Sequence, residues 1–134
     1  MKRPLLTCLL STVAFVSTVA WGAQRWVCHV DGVNGSVVRD VLKLRPSGLG
    51  GLVGRFKCFP VIGRCASHGG QVDIALGADG SVDGTFRSSN GIGCVASGSA
   101  TGAFVGAEAF GDYVCEKPNG VPVSGGTFDC TRRR

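Results

Sequence analysis

The sequence predicts an all-β fold. It reads as a small antiparallel meander closing into a barrel or a two-sheet sandwich of about nine short strands, stabilised by disulfides. Three observations carry this expectation. Turn-forming pairs recur along the chain, and the runs between them are mostly five to nine residues long. Inside those runs glycine, aromatic and cysteine residues alternate with polar ones. Six of the seven cysteines lie beyond residue 22. The 134 residues are too few for more than one ordinary domain. Glycine fills 22 positions with no collagen-type period, and only 17% of residues are charged. The composition excludes a coiled coil, a multi-pass membrane protein and a large two-domain enzyme.

The first segment is a leader rather than a strand. Lys2 and Arg3 precede an apolar run from Leu5 to Ala20 that is diluted by Thr7, Ser11, Thr12, Ser17 and Thr18. Ala20, Gly22 and Ala23 then supply small residues. This is the pattern of a signal peptide over residues 1–22, with cleavage after Gly22 or Ala23. Cleavage after Gly22 keeps bulky Trp21 out of the third position back. The competing reading is a retained anchor, since Pro4 to Ala23 is just long enough to span a bilayer. The hydroxyl-rich middle and small-residue exit favour cleavage, so residues 23–134 read as one exported β domain with no stable membrane anchor. Cys8 leaves with the leader. Cys28, Cys58, Cys65, Cys94, Cys115 and Cys130 remain, an even set that reads as three disulfides in an oxidising compartment, periplasmic or secreted. Cys58–Cys65 is the first pair expected. Cys28–Cys130 follows if first and last strands meet, which leaves Cys94–Cys115. Without Lys2 and Arg3, the 14 basic residues become 12 against 9 acidic ones. Arg132, Arg133 and Arg134 account for that excess and read as a solvated tail. The balanced body gives no reason to expect nucleic-acid binding.

Asp31-Gly32, Asn34-Gly35, Asp79-Gly80, Asn90-Gly91 and Asn119-Gly120 are hairpin-turn pairs, because these residues tolerate positive φ. Ser47-Gly48, Gly69-Gly70, Ser97-Gly98 and Gly125-Gly126 add further breaks. Ser36 to Leu44 has an alternative helical face through Val37, Val38, Val41 and Leu42. Its β-branched content and the alternation of Leu42 and Leu44 with Lys43 and Arg45 make it a strand. An imperfect repeat relates Asp79–Phe86 to Ser97–Phe104, as a strand, a Gly turn and a Gly-x-aromatic strand. Gly-x-aromatic occurs at Gly54/Phe56, Gly84/Phe86, Gly102/Phe104, Gly111/Tyr113 and Gly126/Phe128. Residues two apart share a strand face. The inner face therefore collects Trp26, Val30, Leu42, Leu44, Leu52, Phe56, Val72 and Ile74, and then Leu76, Val82, Phe86, Ile92, Ala96, Phe104, Tyr113 and Phe128. Such an aromatic face reads as filled rather than hollow. In architecture the pattern resembles small secreted β-barrels such as bacterial lysozyme inhibitors and calycin-like binders, a resemblance that assigns no function.

Candidate chemistry is sparse. His29, beside inward Cys28, should face solvent, and His68 sits in a turn. Zinc at Cys65/His68 or Cys28/His29 loses to disulfides. Asp79 and Asp83 bracket a tight Gly-rich turn but lack the further oxygen donors calcium prefers. Glu108, Asp112 and Glu116 fall on the solvent side of one strand, and no Gly-x-Ser-x-Gly elbow occurs. Asn34-Gly35-Ser36 is a formal glycosylation acceptor that its turn role already explains. No catalytic, metal or cofactor site is expected. The segment Cys58–Cys65 stands out: Phe59, Pro60, Val61, Ile62 and Arg64 form a candidate partner-binding loop. The leading reading is a non-catalytic exported domain that binds a macromolecule, an envelope component or an enzyme it blocks. Its alternative is a barrel carrying a small ligand, with a small hydrolase behind both.

Overall fold

A computed structural model describes residues 22–48 and 50–134, so the expected leader over residues 1–22 lies, but for Gly22, outside the described residues. Eight strands follow in chain order. These are β1 (Gln24–Gly32), β2 (Val37–Pro46), β3 (Leu52–Ile62), β4 (Gly69–Leu76), β5 (Ser81–Ser88), β6 (Gly93–Ala100), β7 (Glu108–Glu116) and β8 (Pro122–Arg133). Each pairs antiparallel with the next, and β8 pairs back onto β1, which closes the barrel.

Four of the connections share one local chemistry. Gly35, Gly80, Gly91 and Gly120 all take positive φ. Each donates its N–H to the carbonyl three residues back, at 2.8–3.1 Å. The preceding Asn34, Asp79, Asn90 or Asn119 accepts the N–H of the residue after the glycine at 3.0–3.2 Å. This is a three-residue hairpin with glycine in the left-handed region and an Asx side chain satisfying the following amide.

The structure has eight strands rather than nine, and one closed sheet rather than a sandwich. Two expected breaks are strand interior: Ser97-Gly98 lies within β6 and Gly125-Gly126 within β8. A Cβ at Gly54, Gly98, Gly111 or Gly126 would collide with a carbonyl oxygen of the adjacent strand. Glycine there permits the close strand approach through which a sheet coils and closes. The second copy of the repeat also diverges. The chain leaves β6 at Ala100, and Gly102 and Phe104 fall in the β6–β7 connection, where Phe104 is 54% exposed. Leu76, at the end of β4, is 39% exposed rather than core, and Ile92 sits half-buried in the β5–β6 turn.

The remaining inward residues pack as the alternation requires. Trp26, Leu42, Leu44, Leu52, Val72 and Val82 are buried together, and Phe56 meets Phe86 edge-on with centroids 5.5 Å apart. One end of the barrel is sealed. The Trp26 indole N–H donates to Gln24 Oε1 at 3.0 Å, and Ala107, at the end of the β6–β7 connection, is fully buried. That connection is pinned by Gly106 N–H to the Arg132 carbonyl and Arg132 N–H to the Ala107 carbonyl, both at 2.9 Å. The Arg132 guanidinium also donates to the Ala103 carbonyl. The arginine tail is thus no free solvated end: β8 runs through Arg133, and Arg132 pairs with Trp26.

Three disulfides are present: Cys28–Cys130, Cys58–Cys65 and Cys94–Cys115. Cys28 faces Cys130 across β1–β8, and Cys94 faces Cys115 across β6–β7. A chain so cross-linked folds in an oxidising compartment. The bonds differ in what they restrain, since Cys28–Cys130 spans 102 residues and Cys58–Cys65 spans 7. In the chain-entropy account the long loop contributes about 4–5 kcal/mol and the short one about 2 kcal/mol. Replacing Cys28 and Cys130 together by Ser should therefore cost roughly twice as much as the same change at Cys58 and Cys65. Urea titration of the two double variants checks this, and equal losses would refute it.

Candidate functional site

Inward side chains from all eight strands surround a cavity of about 290 Å³. This corrects the expectation of a filled interior. Several inward positions are too small to meet across the axis: Gly84, Ala96 and Ala109 line the space where larger residues would have closed it. The floor is apolar and built from Trp26, Leu44, Leu52 and Val82. Among the described residues, none of the 47–51, 77–80 or 101–107 connections lines the cavity, in keeping with the sealed base. The rim at the other end is polar, with Asn34, Ser36, Ser67, Ser88 and Ser124.

The β3–β4 connection forms one side of this mouth. Arg64, Cys65, Ala66 and Ser67 all line the cavity. Three restraints hold the connection. Cys65 is bonded to Cys58 within β3. The Cys58 N–H donates to the His68 carbonyl at 2.9 Å. The Asn90 side-chain amide donates to the Ala66 carbonyl at 3.3 Å, tying the connection to the β5–β6 turn.

Sequence reasoning treated Phe59 to Arg64 as one loop, and the structure divides it. Phe59, Pro60, Val61 and Ile62 belong to β3, because Pro60 pairs with Val38 and the register shift between Val37 and Val38 carries the ladder on to Ile62. Phe59, Val61 and Ile62 are exposed on the outside, with Val61 at 63%. The Arg39 guanidinium lies 5.4 Å from the Phe59 ring centroid. Arg64 alone of the set reaches the cavity.

The other candidates do not converge. His29 faces solvent, where its Nε2 lies 3.3 Å from Asp31. Cys28 and Cys65 are in disulfides and have no thiolate to offer a metal. Asp79 caps its turn, and hydrogen bonds from the Ser81 side chain and N–H hold its carboxyl below the usual range. Asp83 points outward on β5. Among the described residues no group of three or more His, Cys, Asp or Glu side chains comes together.

The residue that sequence reasoning missed is Asp40. It sits on β2 in phase with Val38, Leu42 and Leu44, and it is the only carboxylate lining the cavity. Its neighbours across the ladders are Cys28 and Cys58, both in disulfides. Its Oδ1 is inaccessible to solvent and has no hydrogen-bond partner. Burial pushes its pKa from 3.8 up to about 6. Tyr113, which also lines the cavity, is raised first by its own burial and then by the charge of Asp40. The signal was present in the alternation Val38-x-Asp40-x-Leu42-x-Leu44, which puts an acid in an apolar series.

An acid with a raised native pKa weakens the fold once it ionises. Below pH 3.8 both states are protonated and Asp40 costs nothing. Between pH 3.8 and 6 the unfolded chain releases the proton first and stability falls. Above pH 6 the whole cost, about 3 kcal/mol for this shift, is present. Asp40→Asn should therefore stabilise the free protein by about 1–3 kcal/mol at pH 8 and give no advantage at pH 4. Chemical denaturation of both proteins at the two pH values measures this, and a destabilised Asp40→Asn at pH 8 would contradict it.

No protein-family model and no curated protein sequence matches the chain. A solved structure does: a crystal structure of a rhizavidin–biotin complex superposes with a TM-score of 0.60 at 10% sequence identity, covering 88% of this chain and 98% of that one. The likeness extends over the whole barrel and shows the fold alone: an avidin-like, eight-stranded antiparallel meander, closed and cross-linked by three disulfides.

Proposed function

We propose that the protein is an exported, non-catalytic barrel that carries one small, largely apolar molecule in its interior. The open cavity of about 290 Å³ with its apolar floor is the observation that supports this. Its volume is at the small end of the ~300–1,000 Å³ typical of ligand sites. The described interior lacks a nucleophile paired with a base: the only ionisable side chains lining it, apart from disulfide cysteines, are Asp40, Arg64 and Tyr113. The similar structure is that of a barrel in complex with a small molecule, biotin, which supports the same class of activity here. The leader and disulfides support a periplasmic or secreted setting. The macromolecule-binding reading, foremost from sequence, rests now on the outward row Phe59, Val61 and Ile62. If that row docks a partner, Phe59→Ser with Ile62→Ser should keep the melting temperature and abolish pull-down from native extract, while loss of stability would exclude it.

The carrier reading has a direct test. Once residues 1–22 are removed, Trp26 is the sole tryptophan, and it lines the cavity floor. A neutral apolar probe, 4-phenylbutan-1-ol, should change Trp26 emission saturably. Ala96→Leu adds carbon atoms into the cavity and should weaken uptake by at least about tenfold while the protein stays folded. Absence of saturable binding by the unaltered protein would overturn the reading.

A further inference from the structure

Asp40 has no counter-charge inside the barrel. No arginine, lysine or histidine lies within 4 Å of its carboxylate among the described residues, where the one ion pair is His29–Asp31 on the outer surface. The groups facing it are the disulfide sulfurs of the Cys28 and Cys58 bonds on either side and Tyr113 elsewhere on the cavity wall. Arg64 lines the rim but is exposed. Burying a carboxylate without a partner is costly, and Asp40 stands in an inward series otherwise made of Val38, Leu42 and Leu44. Resting on the carrier reading, we propose that the cavity selects a protonated amine with an apolar tail, its ammonium seated on Asp40 and its tail on the floor of Trp26, Leu44, Leu52 and Val82.

Three features favour this ligand class. Asp40 lines the cavity half-buried, and the charge of its carboxylate, whose sealed Oδ1 has no partner, is left unneutralised there. The polarity gradient matches an amphiphilic cation: Asp40 lies between the polar rim and the apolar floor, one inward position below Val38 and one above Leu42. The dielectric contrast sets which charge dominates. A charge pair in a partly buried site at an effective ε of about 20 interacts roughly fourfold more strongly than in water at the same distance. Exposed Arg64 is screened by solvent, so the interior field is that of Asp40. A metal ion is a poor fit, because one carboxylate flanked by disulfides offers too few ligands. At neutral pH the carboxylate is mostly ionised, its pKa being about 6, and an alkylammonium stays charged up to about pH 10. The pair therefore persists across that interval.

Three probes of similar shape test the proposal through Trp26 emission: 4-phenylbutylamine, 4-phenylbutan-1-ol and 4-phenylbutanamide. At pH 8 the amine should bind at least about tenfold more tightly than the alcohol or the amide. Its affinity should fall by at least about tenfold between pH 7 and pH 4.5 as Asp40 takes up a proton, while that of the alcohol stays level. Asp40→Asn should erase the amine preference and keep the alcohol. Equal binding of amide and amine would show that Asp40 serves a neutral N–H donor and would overturn the cation assignment. So would an amine preference that survives Asp40→Asn. Alcohol binding without amine preference sinks this proposal alone, whereas failure of all three probes sinks the carrier reading with it.

Discussion

The seam between β1 and β8 joins the two ends of the folded chain, and every inward-facing position depends on it. Eight strands in a meander supply seven neighbouring contacts by local hairpins. The eighth must be made between segments about a hundred residues apart, where the loop entropy is largest. Register across this seam runs from Arg25/Arg133 to Gly32/Gly126, with Cys28 bonded to Cys130 in its middle. A covalent bond at a directly opposed pair fixes the register there. A slip of one residue would turn every side chain of a strand to the other face, sending Trp26 and Phe128 to solvent. Without closure, β1 and β8 would be open edges, and no enclosed interior would exist.

Closure of a barrel this size leaves little room, and the chain uses glycine to decide where. At Gly54, Gly98, Gly111 and Gly126 the neighbouring backbone comes too close for any side chain. The tight approaches let the wall coil, while small Ala96 and Ala109 keep part of the axis clear. The hydrophobic core is therefore concentrated toward the sealed end, and the other end keeps polar Ser and Asn side chains around the opening. Asp40 lies at the boundary. Its ionisation works against folding, and the three cross-links work in the other direction by restricting the unfolded chain. A fold that depended on packing alone would have less latitude to keep an unpaired acid inside.

Much of the fold was legible because strand alternation is a strong signal. Aromatic-x-cysteine at Trp26/Cys28, Phe56/Cys58, Tyr113/Cys115 and Phe128/Cys130 placed rings and sulfurs on one face. The Asx-Gly pairs located four of the hairpin tips. The misreadings came from glycine, which marks both turns and close strand approaches: Ser97-Gly98 and Gly125-Gly126 looked like breaks and are strand. Phe104 carried the right motif in the wrong place, since the motif says nothing of whether the ladder continues. The site itself was poorly legible. Whether a ring of inward side chains fills a barrel depends on the sum of opposed residues across the axis, and that sum requires the order and stagger of all eight strands. Asp40 was readable in principle from its phase, but a single acid in a strand ordinarily signals an outward residue.

The mouth has a consequence of a kinetic kind. Among the described residues the β6–β7 connection and Arg132 cover the base of the cavity, and the polar rim lies at the other end. On the carrier reading, a molecule at this rim passes a β3–β4 connection clipped by Cys58–Cys65 and moored to the neighbouring β5–β6 turn through Asn90. On the same reading, selection and retention are separated in space. The interior would decide which molecules are held, while the stiffness of the rim would decide how long, since differences in residence time arise largely from dissociation. Loosening the rim would shorten occupancy and quicken loading together, leaving the preference among ligands as it was.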